Sequence, residues 1–353
     1  MLFFLKCAAK LIGYFEICNI FAEKIIEMDK IIGLGNALVD VLATFESDEV
    51  LTEVGLPRGS MTLIDKNKLH IIDEYFKGMK VHMATGGSSG NAIGALARLG
   101  AFTGFVGKVG NDAYGEFLKK SLKRRGTEAK LLVSPSLPTG VASTFISQDG
   151  ERTFATYLGA AATLKAEELS LDMFKGYTYL FVEGYLVQDH NMILRAIELA
   201  KEAGLQVCLD MASYNVVNED CDFFSMLMNK YVDIVFANED EARSFVGKEP
   251  EEALKELAGV CSIAVVKLGA RGSLVRKGSE VLKVDALPVR KVIDTTGAGD
   301  YFAAGFLYGL TCGYPLEKCG RIASLLSSKV IQVVGAELSP ARWRTIRQNI
   351  ENL

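Results

Sequence analysis

The stretch DTTGAGDYFAAGF, Asp294 to Phe306, sets an aspartate in the first turn of an apolar helix, behind a run with almost no side chains. Small residues ahead of a helix leave backbone N–H groups free to face a ligand. The helix N-terminus adds partial positive charge, so such a turn can hold a phosphate. Phe302, Phe306 and Leu310 follow at helical spacing and mark one buried face. A lone Asp300 is ordinarily read as an acid that complements the helix dipole. Beside an anion hole, however, a second fixed negative charge gains nothing. The combination makes chemical sense if Asp300 takes a proton from a hydroxyl attacking a phosphate, while backbone N–H groups stabilise the transferred phosphoryl group.

Other chemistries find less support. GLGNAL (33–38) begins like a dinucleotide fingerprint, but Leu38 stands at the last glycine position. There is no GxxxxGK[ST]. Gly86, Ser88 and Gly90 fit the bare pattern G-x-S-x-G of a hydrolase elbow, for which His190 is the one histidine further along the chain. Seven cysteines form no CxxC pair and there are three histidines, too few for a His-rich metal site. The cysteines read as reduced and mostly buried, which fits a cytoplasmic protein. At a net charge of -4 the chain has no basic stripe for nucleic acid. The one dense basic run, Lys119 to Arg125, suits the solvated face of a helix starting near Asp112.

A positioning framework is visible between residues 179 and 267. Apolar runs at 179–183, 205–210, 232–237 and 262–267 alternate with helical patterns at 189–203, near 219–230, at 239–247 and after Pro250. That alternation predicts a parallel sheet covered by helices on both faces. Glu183, Gly184, Asp210, Asn238, Lys267 and Gly269 fall at the carboxyl ends of its strands, where open α/β sheets bind ligands. Segments 44–62 and 139–158 break the rhythm and read as a small separate β-sheet lid, with a hairpin around Asp149–Gly150. Residues 28–43, 63–138 and 159–353 then form the core. Residues 1–27 are apolar but interrupted by Lys6, Lys10, Glu16 and Asn19, too broken for a membrane span. They read as a non-essential extension, with a docking helix or a targeting segment as alternatives.

At this point the chain resembles the ribokinase or PfkB-type carbohydrate and nucleoside kinases over residues 28–340. GGSSGNAIGALARLGA (86–101) is similar to the first, glycine-rich signature of that family, and DTTGAGDYFAAGFLYGL (294–310) to the second. GNALVDVL (35–42), PTGVAS (138–143), VEGYL (182–186) and FANEDEA (236–242) most resemble adenosine kinases and their bacterial relatives. The resemblance implies a ribokinase-like α/β fold: a central, mostly parallel sheet with helices on both faces, and a β lid. It implies an ATP- and Mg2+-dependent kinase acting on a primary hydroxyl. The favoured acceptor is the 5'-OH of adenosine or a related nucleoside; the alternative is a sugar such as ribose or fructose.

The same resemblance assigns roles. Asp300 would be the catalytic base, with Gly297, Ala298 and Gly299 forming the anion hole together with the Asp300 N–H. Asn36, Asp40, Gly87 and Asn91 would hold substrate hydroxyls, and paired amides and carboxylates suit a vicinal diol. Arg152 corresponds to a lid arginine that approaches the phosphates. Asn238 and Glu241 match an N-x-x-E that orients magnesium through water, although an N-cap and first-turn pair reads equally well. Lys267, Gly269 and Gly272 resemble a nucleotide-binding turn or a plain hairpin, and Thr296 joins them as a cofactor contact. Asp294, Thr295 and Gly335–Ala336 fall where relatives bind a monovalent cation such as K+. Neither a nucleic acid nor a membrane is expected as partner. The lid's edge strands offer a route to a homodimer. A non-catalytic nucleotide-binding module would have to lack Asp300 or the anion hole.

Overall fold

The computed structural model describes residues 29–353. The expectation for residues 1–27 lies outside the described residues. In chain order the strands are β1 (Ile31–Leu34), β2 (Leu38–Thr44), β3 (Met61–Leu63), β4 (His82–Gly86), β5 (Thr103–Gly110), β6 (Thr127–Ser134), β7 (Gly140–Ile146), β8 (Arg152–Tyr157), β9 (Tyr179–Glu183), β10 (Gln206–Asp210), β11 (Val232–Asn238), β12 (Ile263–Lys267), β13 (Ser273–Lys277) and β14 (Glu280–Val284). The α-helices are α1 (Glu49–Glu53), α2 (Lys66–Phe76), α3 (Ser88–Leu99), α4 (Ala113–Arg125), α5 (His190–Glu202), α6 (Tyr214–Glu219), α7 (Cys221–Lys230), α8 (Glu239–Val246), α9 (Pro250–Val260), α10 (Ala298–Thr311), α11 (Leu316–Val330) and α12 (Pro340–Glu351).

Nine strands form the main sheet in the order β14-β13-β12-β11-β10-β9-β1-β5-β6. From β12 to β6 every pairing is parallel, while β13 and β14 close one edge as antiparallel strands. Parallel strands carry helices on both faces, so β5 and β9 are buried along their whole length. The chain leaves β1 towards β5 and β6 on one side, then returns to build β9 to β12 on the other. Order therefore reverses beside β1, which opens a crevice at the carboxyl ends. Helix starts are set locally. Asp112 accepts a hydrogen bond from Gly115 N and Asp189 one from Met192 N, as N-caps do. The helical pattern near 219–230 is α7, and the short helix α6 precedes it.

Helix α10 lies against α11 through Gly305 and Gly309, four residues apart on one face. A Cβ at Gly305 would stand 2.7 Å from Ala323 Cα, and one at Gly309 2.7 Å from Cys319 Sγ. The missing side chains let the two helix backbones approach closely and fix the start of α10 over the sheet.

The second sheet has five strands, in the order β3-β8-β7-β2-β4. Its period-2 alternation divides its residues between two faces. Val39, Val41 and Ala43 of β2, Val141 and Phe145 of β7, and Ala155 of β8 join the core, where Phe45, Phe76 and Phe145 form an aromatic cluster. Leu38, Asp40, Ala142 and Phe154 face the crevice instead. This sheet is larger than the segments 44–62 and 139–158. It also takes β2 and β4, which the sequence reading placed in the core, and segment 44–62 carries the short helix α1. The alternating apolar pattern of β2 follows β1 after a three-residue break, so periodicity could not show that β2 leaves the main sheet. Cys208, Cys221, Cys261, Cys312 and Cys319 are free thiols. No helix among the described residues is long and apolar enough to cross a membrane.

Candidate active site

A cavity of about 950 Å³ lies between the small sheet and the carboxyl ends of the main strands. Asp300 lines it. It is carried there by α10, whose N-cap Gly297 has a φ of 76°, a backbone state that favours glycine. The turn is also crowded, since a Cβ on Gly297 would meet Ala336 Cβ at 2.8 Å. Among the described residues, the N–H groups of Gly299 and Asp300 have no protein acceptor, whereas Ala298 N donates to Thr295 O at 3.1 Å. The expected anion hole thus has free N–H groups at Gly299 and Asp300, while the Ala298 N–H expected to join them is already engaged.

The Asp300 carboxylate is held by two donors from the start of α3. Ser88 Oγ donates to Oδ1 at 2.7 Å and Asn91 Nδ2 to Oδ2 at 2.9 Å. Burial pushes the Asp300 pKa up to about 7; the two donors and the nearby Lys267 oppose that rise, while Asp210 adds to it. A carboxylate poised near neutral pH is suited to general base work.

Asp40 faces the same space from β2. Burial, then the charge of Asp300, lifts its pKa to about 7, against the pull of Arg152. Its side chain reaches Gly86 of β4, where an added Cβ would fall 2.0 Å from Asp40 Oδ1. The first glycine of GGSSGN therefore makes room for this carboxylate. The second, Gly87, has a φ of 82° and brings its backbone against Asn36 O.

Lys267, at the end of β12, donates from Nζ to Asp210 Oδ2 at 2.9 Å. A Cβ on Gly299 would lie 3.3 Å from that ammonium, so the lysine sits beside the anion hole. Burial works against its charge, but Asp210 and Glu241 hold its pKa above the ordinary lysine value. Asn238 and Glu241 form a complete capping box at the start of α8: Asn238 N and Nδ2 donate to Glu241, and Glu241 N donates to Asn238 Oδ1. Both also line the cavity. Burial lifts the Glu241 pKa to about 7, with Lys267 opposing and Asp210 adding. Gly269 and Gly272 bend the β12–β13 hairpin and line the cavity with Thr296.

Three expected contacts are placed elsewhere. Asn36 is buried, and its Nδ2 and backbone N both donate to Glu183 Oε1 at 2.8 Å; it does not line the cavity. Glu183 draws it inward, because a buried carboxylate at the end of β9 needs donors and takes a third from Ser89 N. Arg152 also stands off the cavity wall. Its Nη1 pairs with Asp294 Oδ2 at 2.8 Å. Asp294 further accepts from Thr296 N, Thr296 Oγ1 and Gly335 N, so its carboxylate is filled by protein donors.

Sequence reasoning passed over Ser88 as part of this site, although it lies inside GGSSGN. It noticed Asp210 only as a strand end. It also gave no role to Tyr185, to Ala212 with its φ of 65°, or to the apolar wall of Leu287, Pro288, Val289, Val292 and Ile331. That wall comes from an irregular segment and one helix end with no motif to mark them.

Residues 60–343 match the pfkB family carbohydrate kinase family. The chain belongs to that family. It is a phosphotransferase acting on a hydroxyl, and such a kinase uses ATP, usually with Mg2+. Among solved structures, an adenosine kinase from Sinorhizobium meliloti is 33% identical with a TM-score of 0.81, covering 91% of this chain and 99% of its own. A probable sugar kinase from Rhizobium etli CFN 42 is 32% identical with a TM-score of 0.82, covering 91% and 98%. Adenosine kinase 2 of Arabidopsis thaliana is 27% identical over 330 residues, 86% of this chain and 94% of its own. These likenesses match the ribokinase-like architecture of the kinase.

The donor set fits a hydrated magnesium ion better than a protein-caged one. Among the described residues, no three His, Cys, Asp or Glu side chains are grouped to hold a metal directly. Mg2+ commonly keeps waters and substrate phosphates as ligands and takes only one or two carboxylates. Glu241 and Asp210 both line the cavity, and Lys267, which Asp210 holds, lies beside Gly299, so these two acids would order such waters.

Proposed function

We propose that the kinase phosphorylates the 5'-OH of adenosine or a related nucleoside, with ATP as donor. The observation that carries this reading is Asp300, held by Ser88 and Asn91 at the mouth of an open helix N-terminus, with a second half-buried carboxylate, Asp40, in the same cavity. Asp300 accepts the proton of the attacking hydroxyl. The Gly299 and Asp300 N–H groups and the Lys267 ammonium face the charge that grows on the transferred group. When bound, Mg2+ neutralises charge on the phosphate oxygens.

Asp40 accepts from a ribose hydroxyl, and Asn91 and the Gly87 backbone flank it. Leu38, Ala142 and Phe154 offer an apolar wall for a flat base. At the other end, Leu287, Pro288, Val289, Val292 and Ile331 suit the purine of ATP, next to the Gly269–Gly272 turn. The small sheet acts as a lid that excludes water, which would otherwise accept the phosphoryl group.

The sugar alternative keeps Asp300 and the anion hole in the same roles. ADP release measured side by side with adenosine, ribose and fructose separates the two. Clear turnover of adenosine supports the nucleoside reading. Activity on ribose or fructose with none on adenosine overturns it.

A further inference from the structure

The Asp294 carboxylate stands at a junction of three segments. Oδ1 accepts from Thr296 N at 3.0 Å and from Thr296 Oγ1 at 2.8 Å, which folds the turn leading into the anion hole. Oδ2 accepts from Gly335 N at 2.8 Å, in the loop that packs its Ala336 against Gly297. Oδ2 also pairs with Arg152 Nη1 at 2.8 Å, from the first residue of β8 in the small sheet. Both side chains of that pair are only 6% exposed. An ionised carboxylate has about four acceptor sites, and four donors occupy these. A monovalent cation ligated by this carboxylate would have to displace one of them. The positive charge that Asp294 needs in a buried site is already supplied, covalently, by the lid.

We propose that Arg152 is the built-in cation of the anion-hole turn, so that the kinase needs no K+ at Asp294. Arg152 acts as a positioning residue. Its guanidinium neutralises Asp294, keeps the 294–297 turn in place, and ties the small sheet to the loop from which Gly299 and Asp300 present their N–H groups. Among the described residues Arg152 Nη2 is buried without a partner, and the charge of the same guanidinium is felt at Asp40. One side chain therefore links the carboxylate proposed to hold substrate with the turn proposed to hold phosphate. The inference rests on the reading of that turn as the phosphoryl site; its structural half does not.

The test uses the full chain at constant ionic strength, with KCl replaced by tetramethylammonium chloride. Two quantities are read: the melting temperature without substrate, and the steady-state rate with ATP and the best acceptor of the panel. For the wild type both are expected to be unchanged by the exchange. Arg152→Met is expected to lower kcat roughly 10²-fold, the scale of a small misplacement of catalytic groups. K+ should restore part of that loss where tetramethylammonium does not, because the small ion can enter the vacated site. Arg152→Lys, which keeps a charge, should retain more activity than Arg152→Met. A wild type that is stabilised or activated by K+ specifically overturns the proposal. So does Arg152→Met that folds and turns over like the wild type. If Arg152→Met does not fold, the wild-type comparison and Arg152→Lys still decide. Absence of kinase activity on every acceptor would sink the proposed function, while the melting comparison would continue to judge the pairing of Arg152 with Asp294.

Discussion

Ser88 Oγ donates to Asp300 Oδ1 at 2.7 Å across 212 residues of sequence. The two family-like stretches, GGSSGN and TTGAGD, thus meet side chain to side chain, and the first holds the acid carried by the second.

Removing that donor has a signed consequence. The Ser88 hydrogen bond favours the charged form of Asp300, so Ser88→Ala should raise its pKa further above about 7. The rising limb of the rate against pH should move to higher pH. At neutral pH the rate should fall roughly tenfold, since hydrogen bonds to charged groups contribute about 1.5–3 kcal/mol. A pH profile identical to the wild type would remove Ser88 from the site.

Asp300→Asn should fold and keep its place in α10, yet lose roughly 10²–10⁴ in kcat, the usual worth of a general base. Turnover at the wild-type rate would show that Asp300 is not the proton acceptor.

Ligand-free stability should fall as pH rises through neutrality. Asp40 and Asp300 each bind a proton in the folded chain up to about pH 7, against a starting value of 3.8. The folded state then holds more protons than the unfolded one between those values, so stability is greatest below about pH 4 for these two groups and is lost through pH 7. They interact, so the loss belongs to the pair. Melting scans from about pH 4.5 to 7 should show this decline, levelling off above about pH 7, and Asp300→Asn should make it shallower. A melting temperature that climbs with pH in the wild type and is unaffected by the substitution would contradict the assignment.

Gly86→Ala tests the space around Asp40. The added Cβ would fall 2.0 Å from Asp40 Oδ1, so the carboxylate must move. KM for a nucleoside should rise steeply with a smaller change in kcat, and Asp40→Ala should act alike. With the wild type, 2'-deoxyadenosine should be a poor substrate, because a buried acceptor left unpaired costs about 1–3 kcal/mol. Equal kcat/KM for adenosine and its 2'-deoxy analogue would argue against the diol contact.

The lid reading predicts slower amide exchange on adding nucleoside in 44–62 and 139–158, and equally in β2 and β4. Protection confined to the main sheet would mean that the small sheet does not close on the substrate.

The sequence by itself determined what depends on local patterns. Apolar runs and helical periods marked the strands from β9 to β12 and their crossovers, and polar residues at the strand ends marked the crevice. Small residues before an apolar helix located the turn with open N–H groups and Asp300, because backbone access and the helix dipole are properties of a few consecutive residues. The tertiary structure alone decided the partnerships of buried charges. Nothing near Asn36 announces that Glu183, 147 residues on, will draw its amide away from the cavity. Nothing near Arg152 announces Asp294. A buried charge takes whichever opposite charge or donor the fold brings within reach, since leaving it unpaired is costly. Which groups arrive is set by how the crossovers bring strand ends and the small sheet together, and no local period carries that information.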